Sequence, residues 1–179
     1  ILRASGYRQV EGISYSDTQF AISPFLRVKS CIYYDLPVYR YLVGREGQTT
    51  VAETYRKNFK MIASVVLAMC EDYERMRAEA SNDSESYVYE VVLGLVRYVY
   101  SRCLLTRDVD IAIVKYFDKK LKIVSARLYA GTAGMVASNR FQYKFVADWR
   151  KHGDAMSWRF HLFRFYRRGV MMSNKFSKG

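Results

Sequence analysis

The sequence predicts a mainly α-helical protein, and three observations carry this prediction. The 179 residues contain only two prolines and ten glycines, the residues that most often break regular elements. Residues 50–130 contain no proline and a single glycine, Gly94. Apolar side chains in that region recur at helical spacing behind residues that cap helices. A hydrophobic fraction of 50% supplies enough apolar material for the core of one domain.

The first 49 residues are predicted to combine a short helix with β-structure. Residues 17–29 favour a short helix that has Asp17 or Ser16 near its N-cap. Two β-rich runs follow, Cys31 to Leu36 and Val38 to Val43. This segment therefore differs in composition and in predicted structure from the rest of the chain.

A long helix is predicted to begin at a capping box formed by Thr50 and Glu53 and to end near Ala80. The apolar positions of this helix step alternately by four and three residues, the spacing of a seam that packs lengthwise on another helix. They are Tyr55, Phe59, Ile62, Val66, Met69, Tyr73 and Met76.

Two further long helices and two shorter ones are predicted after Ala80. Asn82, with Glu85 three residues later, caps a helix that runs to about Leu104. Thr106 caps a third helix, from Asp108 to about Tyr129. Shorter helices are predicted over 141–149 and 157–166. We expect the three long helices to form a compact bundle, because capped amphipathic stretches joined by short turns bury their apolar stripes best against each other.

The charge of the chain favours an anionic partner. The formal net charge is +12 and the pI is about 9.7, and the last forty residues hold +8 of that charge. The partner could be nucleic acid, a phosphorylated donor or an acidic lipid surface, because each of them is anionic. The longest apolar stretch, residues 62–70, is far short of the roughly 18 residues that span a bilayer, so we expect a protein that is soluble or peripheral to a membrane.

The sequence lacks the motifs of several enzyme and metal-binding classes. Serine hydrolase, P-loop and dinucleotide-binding signatures are absent. Cys31, Cys70 and Cys103 are three in number and far apart, which indicates neither a disulfide framework nor a thiolate metal site and favours a reducing compartment. His152 and His161 have no zinc-binding spacing, and we expect both on the solvent side.

One short motif, Asp108-Val109-Asp110, looks like the D-x-D metal motif of nucleotide-sugar transferases. In that motif both carboxylates reach one divalent ion from the end of a strand. Here the two residues lie at a predicted helix start, where the helix dipole favours acidic side chains. We therefore interpret them as part of a helix start.

Two blocks of the first fifty residues are similar to a known family. They are 12–20, GISYSDTQF, and 33–49, YYDLPVYRYLVGREGQT. Together they resemble the end of the catalytic domain of bacterial family 2 glycosyltransferases, most closely the Bacteroides-type enzymes of capsule and surface polysaccharides. The resemblance implies that 1–49 is the α/β remnant of a GT-A-like catalytic domain and that 50–179 is a helical C-terminal extension.

The resemblance also implies roles for individual residues. Asp17 matches the catalytic base, and Arg45, Gln48 and Thr49 match a turn that holds the leaving diphosphate. The alternatives are an ordinary helix-start aspartate and a strand-to-helix connection with a solvated arginine. The family has a Glu-Trp pair after the threonine, whereas this chain has Gln19 followed by phenylalanine. The divalent metal, magnesium or manganese, is implied for the full-length enzyme, and no cofactor is expected within this chain.

The C-terminal segment interleaves aromatic residues with arginines between Trp158 and Arg168. Such a segment suits an anionic membrane surface, which Arg159, Arg164, Arg167 and Arg168 would face. Insertion of Phe160, Phe163 and Phe165 at the headgroup boundary would add to that binding. The alternatives are a packed helix with snorkelling arginines and a groove for single-stranded nucleic acid, and no RNA-binding signature supports the second.

Two functions remain open from the sequence. In the first, the chain is the C-terminal part of an inverting glycosyltransferase that moves a sugar from a nucleotide-sugar to a polysaccharide or lipid-linked acceptor, and the part alone is inactive. The chain begins at Ile1 rather than at methionine, which favours this view. In the second, it is a stand-alone basic helical module that binds a membrane surface or a protein partner. Both place it in the cytoplasm or at the inner face of the cytoplasmic membrane.

Overall fold

The computed structural model describes residues 3, 6–12, 15–40, 42, 52–138 and 141–176, with side chains throughout except at 52, 55 and 168–176. In these residues the chain is mainly helical and contains no β-strand. The α-helices are α1 (Asp17–Ile22), α2 (Ala52–Lys57), α3 (Phe59–Met76), α4 (Asn82–Ser101), α5 (Ile111–Val124), α6 (Ala126–Gly131), α7 (Phe145–His152) and α8 (Trp158–Phe176). Short 3₁₀ or π turns extend several of them, including Ser23–Arg27 after α1 and Arg102–Thr106 after α4.

Helices α3, α4 and α5 line much of the core, as predicted. Helix α3 packs against both of the others. Of its predicted seam, Phe59, Val66, Met69, Tyr73 and Met76 are buried and Ile62 is partly buried, while the side chain of Tyr55 lies outside the described residues. The 3₁₀ turn after α1 adds Leu26 to the same core. The predicted division of the chain at residue 49 stays a prediction.

The predicted β-runs are wrong where the structure describes them. Residues 30–40 are irregular, and their backbone bonds are local, from the Leu36 N–H to the Tyr34 carbonyl and from the Val38 N–H to the Leu36 carbonyl, both 2.9 Å. Ile32 and Val38 are 77% and 88% exposed. A strand is stable only when a neighbouring strand pairs with its backbone, and the described part of the chain supplies none.

The helix boundaries differ from the predictions at three places, each for a local reason. The first long helix is interrupted at Asn58, a residue type that competes for backbone hydrogen bonds. The third is divided at Ser125, whose extended backbone ends α5 and whose Oγ accepts from the Leu128 N–H, 3.1 Å, to begin α6. Thr106 was predicted to begin a helix, but its hydroxyl donates to the Arg102 carbonyl, 2.8 Å, and closes the preceding turn. The predicted capping residue Thr50 lies outside the described residues.

The cap of α4 lies close to its predicted position, whereas the cap of α5 lies after the predicted Thr106. Ser81, one residue before the predicted Asn82, caps α4 by accepting from the Ser84 N–H, 3.3 Å. Asp110 caps α5 by accepting from the Ala112 N–H, 2.8 Å. The two shorter C-terminal helices are present as α7 and α8. No helix in the described residues is long and apolar enough to cross a membrane.

Candidate functional site

Asp17, the predicted base, is the first residue of α1, and its side chain is exposed. One carboxylate oxygen accepts from the Thr18 N–H at 3.0 Å. Ser16 occupies the N-cap position, and its hydroxyl accepts from the Gln9 side-chain amide at 2.8 Å rather than from the helix. No ion pair joins Asp17 to another described residue. Its carboxylate is therefore accessible to an external proton donor.

A cavity of about 190 Å³ lies beside the start of α1. Tyr15 and Thr18, on either side of Asp17 in the chain, line it together with apolar side chains of α3 and with Tyr98 of α4. Tyr15 has a left-handed backbone, φ 75°, a conformation that costs free energy for a residue other than glycine and clusters at functional sites. Burial raises the pKa of Tyr98 above its ordinary value, so this hydroxyl stays protonated and can donate a hydrogen bond. The cavity can hold a small group near the start of α1.

A buried polar network fixes α1 to α3 beneath this cavity. Gln19 is 1% exposed, and its side-chain amide donates to Asp72 Oδ2 at 2.9 Å and to the Arg8 carbonyl at 3.2 Å. Its carbonyl accepts from the Val10 N–H at 3.2 Å, and Arg75 pairs with the other oxygen of Asp72. Asp72 needs a donor here, which glutamine supplies and a glutamate would not. The glutamine at position 19 therefore has a physical role in the fold.

The network of Gln19 and Asp72 was not predicted, although the sequence contains one signal for it. Asp72 lies three residues after Met69 and four before Met76 on α3, so helical geometry places its carboxylate at the buried seam. A carboxylate at such a position requires a hydrogen-bond donor. The donor, 53 residues away in the chain, could not be identified from spacing.

The predicted diphosphate-binding residues Arg45, Gln48 and Thr49 lie outside the described residues. Their role stays a prediction.

The two carboxylates of the D-x-D sequence serve the fold, as interpreted from the sequence. Asp108 forms a two-armed ion pair with Arg102, with Nε to Oδ1 at 3.1 Å. Asp110 is the N-cap of α5. These residues do not fit a shared divalent ion, because one carboxylate is neutralised by a guanidinium and the other is bonded to a helix N–H. The described residues contain no group of three or more histidine, cysteine or acidic side chains placed to hold a metal.

Arg150 of α7 joins four helices through a second polar network. Its guanidinium donates to Asp118 of α5 at 2.7–2.8 Å, to the Tyr100 hydroxyl of α4 at 3.0 Å and to the Tyr129 carbonyl of α6 at 3.3 Å. It also lies over the Tyr129 ring, 3.6 Å from the centroid. Arg150 and Asp118 are each 17% exposed. We assign this network to stability, because its ionic groups are paired with each other.

A third polar cluster lines a cavity of about 530 Å³ between α7 and α8. Lys144, Lys151 and Arg159 contribute cationic side chains to it, and Trp158 contributes an exposed ring. Asp148, the carboxylate in this cavity, accepts from the Tyr143 hydroxyl and from the Ser157 N–H, 3.0 Å. The cavity is therefore positively charged, with its one carboxylate already bonded.

Both histidines are exposed, which confirms the prediction that they lie on the solvent side. His152 Nδ1 lies 3.0 Å from Asp148 Oδ1, and His161 lies on α8.

We expect Asp148→Asn to weaken the dependence of stability on acid pH. Burial opposes ionisation of Asp148, but the hydrogen bonds from Tyr143 and Ser157 and the nearby His152 outweigh it, so the pKa of the carboxyl lies below its ordinary value. A lowered pKa in the folded state stabilises the protein above the unfolded-state pKa of about 3.9, and this stabilisation is lost as pH falls through the folded-state value. The variant should lose about 1–2 kcal/mol at neutral pH.

Urea unfolding at pH values from 7 to 3 measures this difference. The control is Glu90→Gln, which neutralises an exposed carboxylate on α4. Parallel declines of the unfolding free energy for wild type and Asp148→Asn would contradict the assignment.

The C-terminal helix divides the predicted membrane-facing residues between two sides. Phe160 and Phe163 are 1% and 5% exposed, so their predicted insertion at a membrane is wrong: they pack in the core against Phe141 and Tyr143. Phe165 is 79% exposed. Arg159 and Arg164 are exposed, whereas Arg167 is half-buried and donates to the Leu105 carbonyl at 3.4 Å. The side chain of Arg168 lies outside the described residues.

No family model, curated protein or solved structure matches this chain.

Proposed function

We propose that this chain is the C-terminal part of an inverting glycosyltransferase and that Asp17 is its general base. The observation that carries the proposal is the exposed Asp17 carboxylate at the start of α1, within the Tyr-Ser-Asp-Thr sequence that resembles the family and beside the cavity lined by Tyr15 and Tyr98. A general base must reach the proton that it removes. An exposed carboxylate on an anchored helix meets that requirement.

In the proposed reaction, Asp17 accepts the proton of an acceptor hydroxyl as its oxygen attacks the anomeric carbon of a nucleotide-sugar. The new carbon–oxygen bond forms on the face opposite the diphosphate, and the bond to the diphosphate breaks with its electron pair leaving on the nucleotide. The Gln19 and Asp72 network fixes the direction of α1 and so of the carboxylate. A fixed direction matters because misplacement of a catalytic group by about 1 Å can lower a rate by about 100-fold.

The irregular segment at 30–40 supports the proposal that 1–49 is the end of an α/β catalytic domain. Its apolar side chains Ile32, Tyr33, Leu36, Val38 and Tyr39 are each at least 65% exposed. A segment with exposed apolar side chains is what a sheet edge presents where a further strand can pair with it. A sheet contributed by a preceding donor-binding half would pair with this segment, and Arg45, Gln48 and Thr49 would then follow it toward the leaving diphosphate.

The divalent metal of the resembled family does not fit the residues described here. Asp108 forms an ion pair with Arg102, and Asp110 caps the start of α5. The metal is therefore proposed only for the full-length enzyme, and no step assigned to this chain depends on it.

The test is sugar transfer by the protein expressed together with the coding sequence that precedes this chain. Purified protein is incubated with a panel of nucleotide-sugars and with lipid-linked and oligosaccharide acceptors, and labelled product is separated by chromatography. We expect a product whose anomeric configuration, measured by NMR coupling, is opposite to that of the donor. A folded complete protein that transfers no sugar, or one that retains configuration, would contradict the proposal.

The 179-residue chain alone serves as the comparison in the same assay. We expect no product from it, because catalysis requires donor and base to be positioned together. Product formation by the chain alone would contradict the view that it is the C-terminal part of the enzyme.

A further inference from the structure

Helix α8 has a second apolar face that the core does not use. Phe160 and Phe163 face inward, while Trp158, Leu162 and Phe165 are 71%, 47% and 79% exposed. The exposed three are spaced by four and three residues, which places them in one stripe along the helix. This outer stripe, defined as Trp158, Leu162 and Phe165, is unusual for a surface helix, since one apolar face already suffices to hold it to the core.

Positive charge borders the outer stripe. Helical geometry places Arg159 on one flank; on the other, Arg164 lies beyond His161, with its guanidinium over the Phe160 ring at 5.8 Å. The side chains of Arg159 and Arg164 are exposed. The last forty residues contain ten basic and only two acidic residues. The two acidic ones are internally paired: Asp148 in its hydrogen bonds and Asp154 with Lys115 at 2.5 Å. An apolar stripe with a basic border is complementary to an anionic lipid surface.

The cationic cavity between α7 and α8 adjoins the same stripe. Trp158 belongs to both, and Lys144, Lys151 and Arg159 line the cavity beside it. Its volume of about 530 Å³ falls within the range of about 300–1,000 Å³ common for ligand sites. The Asp148 carboxylate in the cavity accepts hydrogen bonds from Tyr143 and Ser157. The three cationic side chains can therefore bind an external anion.

We propose that the outer stripe of α8 inserts at the headgroup level of a membrane rich in acidic phospholipid, and that the α7–α8 cavity binds the phosphate of one such headgroup. Lysine and arginine donate charge-assisted hydrogen bonds to phosphate oxygens, and the indole of Trp158 suits the boundary between headgroup and acyl chain. This surface does not depend on the proposed transferase, since it uses neither Asp17 nor its cavity.

Trp158 provides a direct measurement of insertion. The chain has two tryptophans, of which Trp149 is 7% exposed and Trp158 is 71% exposed. Vesicles of phosphatidylcholine with phosphatidylglycerol should shift the emission to shorter wavelength, and lipids brominated near the headgroup should quench it. Vesicles of phosphatidylcholine alone should leave the emission unchanged.

Two variants separate the stripe from the cavity. The first variant removes the stripe and carries Trp158→Ser, Leu162→Ser and Phe165→Ser. The second variant removes the cavity charges and carries Lys144→Gln, Lys151→Gln and Arg159→Gln. Each should lower co-sedimentation with the anionic vesicles by roughly 10-fold to 100-fold. The side chains replaced are exposed, and circular dichroism verifies that the helices remain.

The matched control removes three positive charges from another face. This control carries Lys119→Gln, Lys120→Gln and Lys122→Gln, three exposed positions of α5. It should change vesicle binding by less than about 3-fold. An equal loss in this control would overturn the proposal in favour of diffuse attraction. Equal binding to neutral vesicles, binding without a change in Trp158 emission, or retention of single-stranded RNA in place of vesicles would each overturn it as well.

Discussion

For the transferase proposed above, Asp17→Asn should lower the turnover of the complete protein by about 100-fold to 10,000-fold, the usual contribution of a general base. The asparagine amide has nearly the same shape but cannot accept the proton of the acceptor hydroxyl. Its side-chain oxygen can still accept from the Thr18 N–H, so the start of α1 should be preserved. Because the carboxylate acts on the acceptor, the dissociation constant of the nucleotide-sugar donor should change little. Initial rates with labelled donor, together with calorimetric donor binding, measure the two effects separately.

The control for this experiment is Asp83→Asn, an exposed aspartate in the first turn of α4. It has the same chemistry at a helix start but lies on a different helix, and its turnover should equal that of the wild type. Near-normal turnover of Asp17→Asn would show that Asp17 is only a helix-start residue. A parallel loss of folded protein would point to a structural role, so thermal unfolding is measured on each variant.

Arg150→Met should lower the free energy of unfolding by about 3 kcal/mol, since it leaves the Asp118 carboxylate in a largely buried site without its counter-charge. For a chain of this size such a loss lowers the melting temperature by about 6–12 °C. Methionine retains most of the volume above the Tyr129 ring, so the loss should come from the polar contacts rather than from a cavity. Chemical unfolding followed by circular dichroism measures it.

A double-mutant cycle distinguishes this ion pair from a general packing defect. Asp118→Leu combined with Arg150→Met removes both charges, and its cost should be clearly smaller than the sum of the two single costs. The control is Arg97→Met: this exposed arginine donates to the Val136 carbonyl at 2.7 Å, and its loss should cost less than about 0.5 kcal/mol. Additive costs across the cycle would show that Arg150 and Asp118 do not act as a pair.

The sequence was sufficient to locate the helices and their local contacts. The apolar seam of α3 followed from steps of three and four residues, and the role of Asp110 followed from its position at a helix start. Two errors in the helix boundaries, at Asn58 and at Ser125, are single polar residues within otherwise helical stretches. Whether such a residue interrupts a helix depends on how its neighbours pack, which local spacing does not show.

By itself, the sequence determined the mainly helical class, the positive charge of the C-terminal region and the position of Asp17 at a helix start. The tertiary structure alone decided which partners meet: Gln19 with Asp72, 53 residues apart, and Arg150 with Asp118, 32 residues apart. It also placed Phe160 inward on α8, and among the described residues it gave 30–40 no partner strand. The physical reason is the separation along the chain over which each kind of interaction acts. Helices and caps form between residues within about one turn of each other, whereas pairing, burial and exposure depend on distant segments that are brought together only when the core packs.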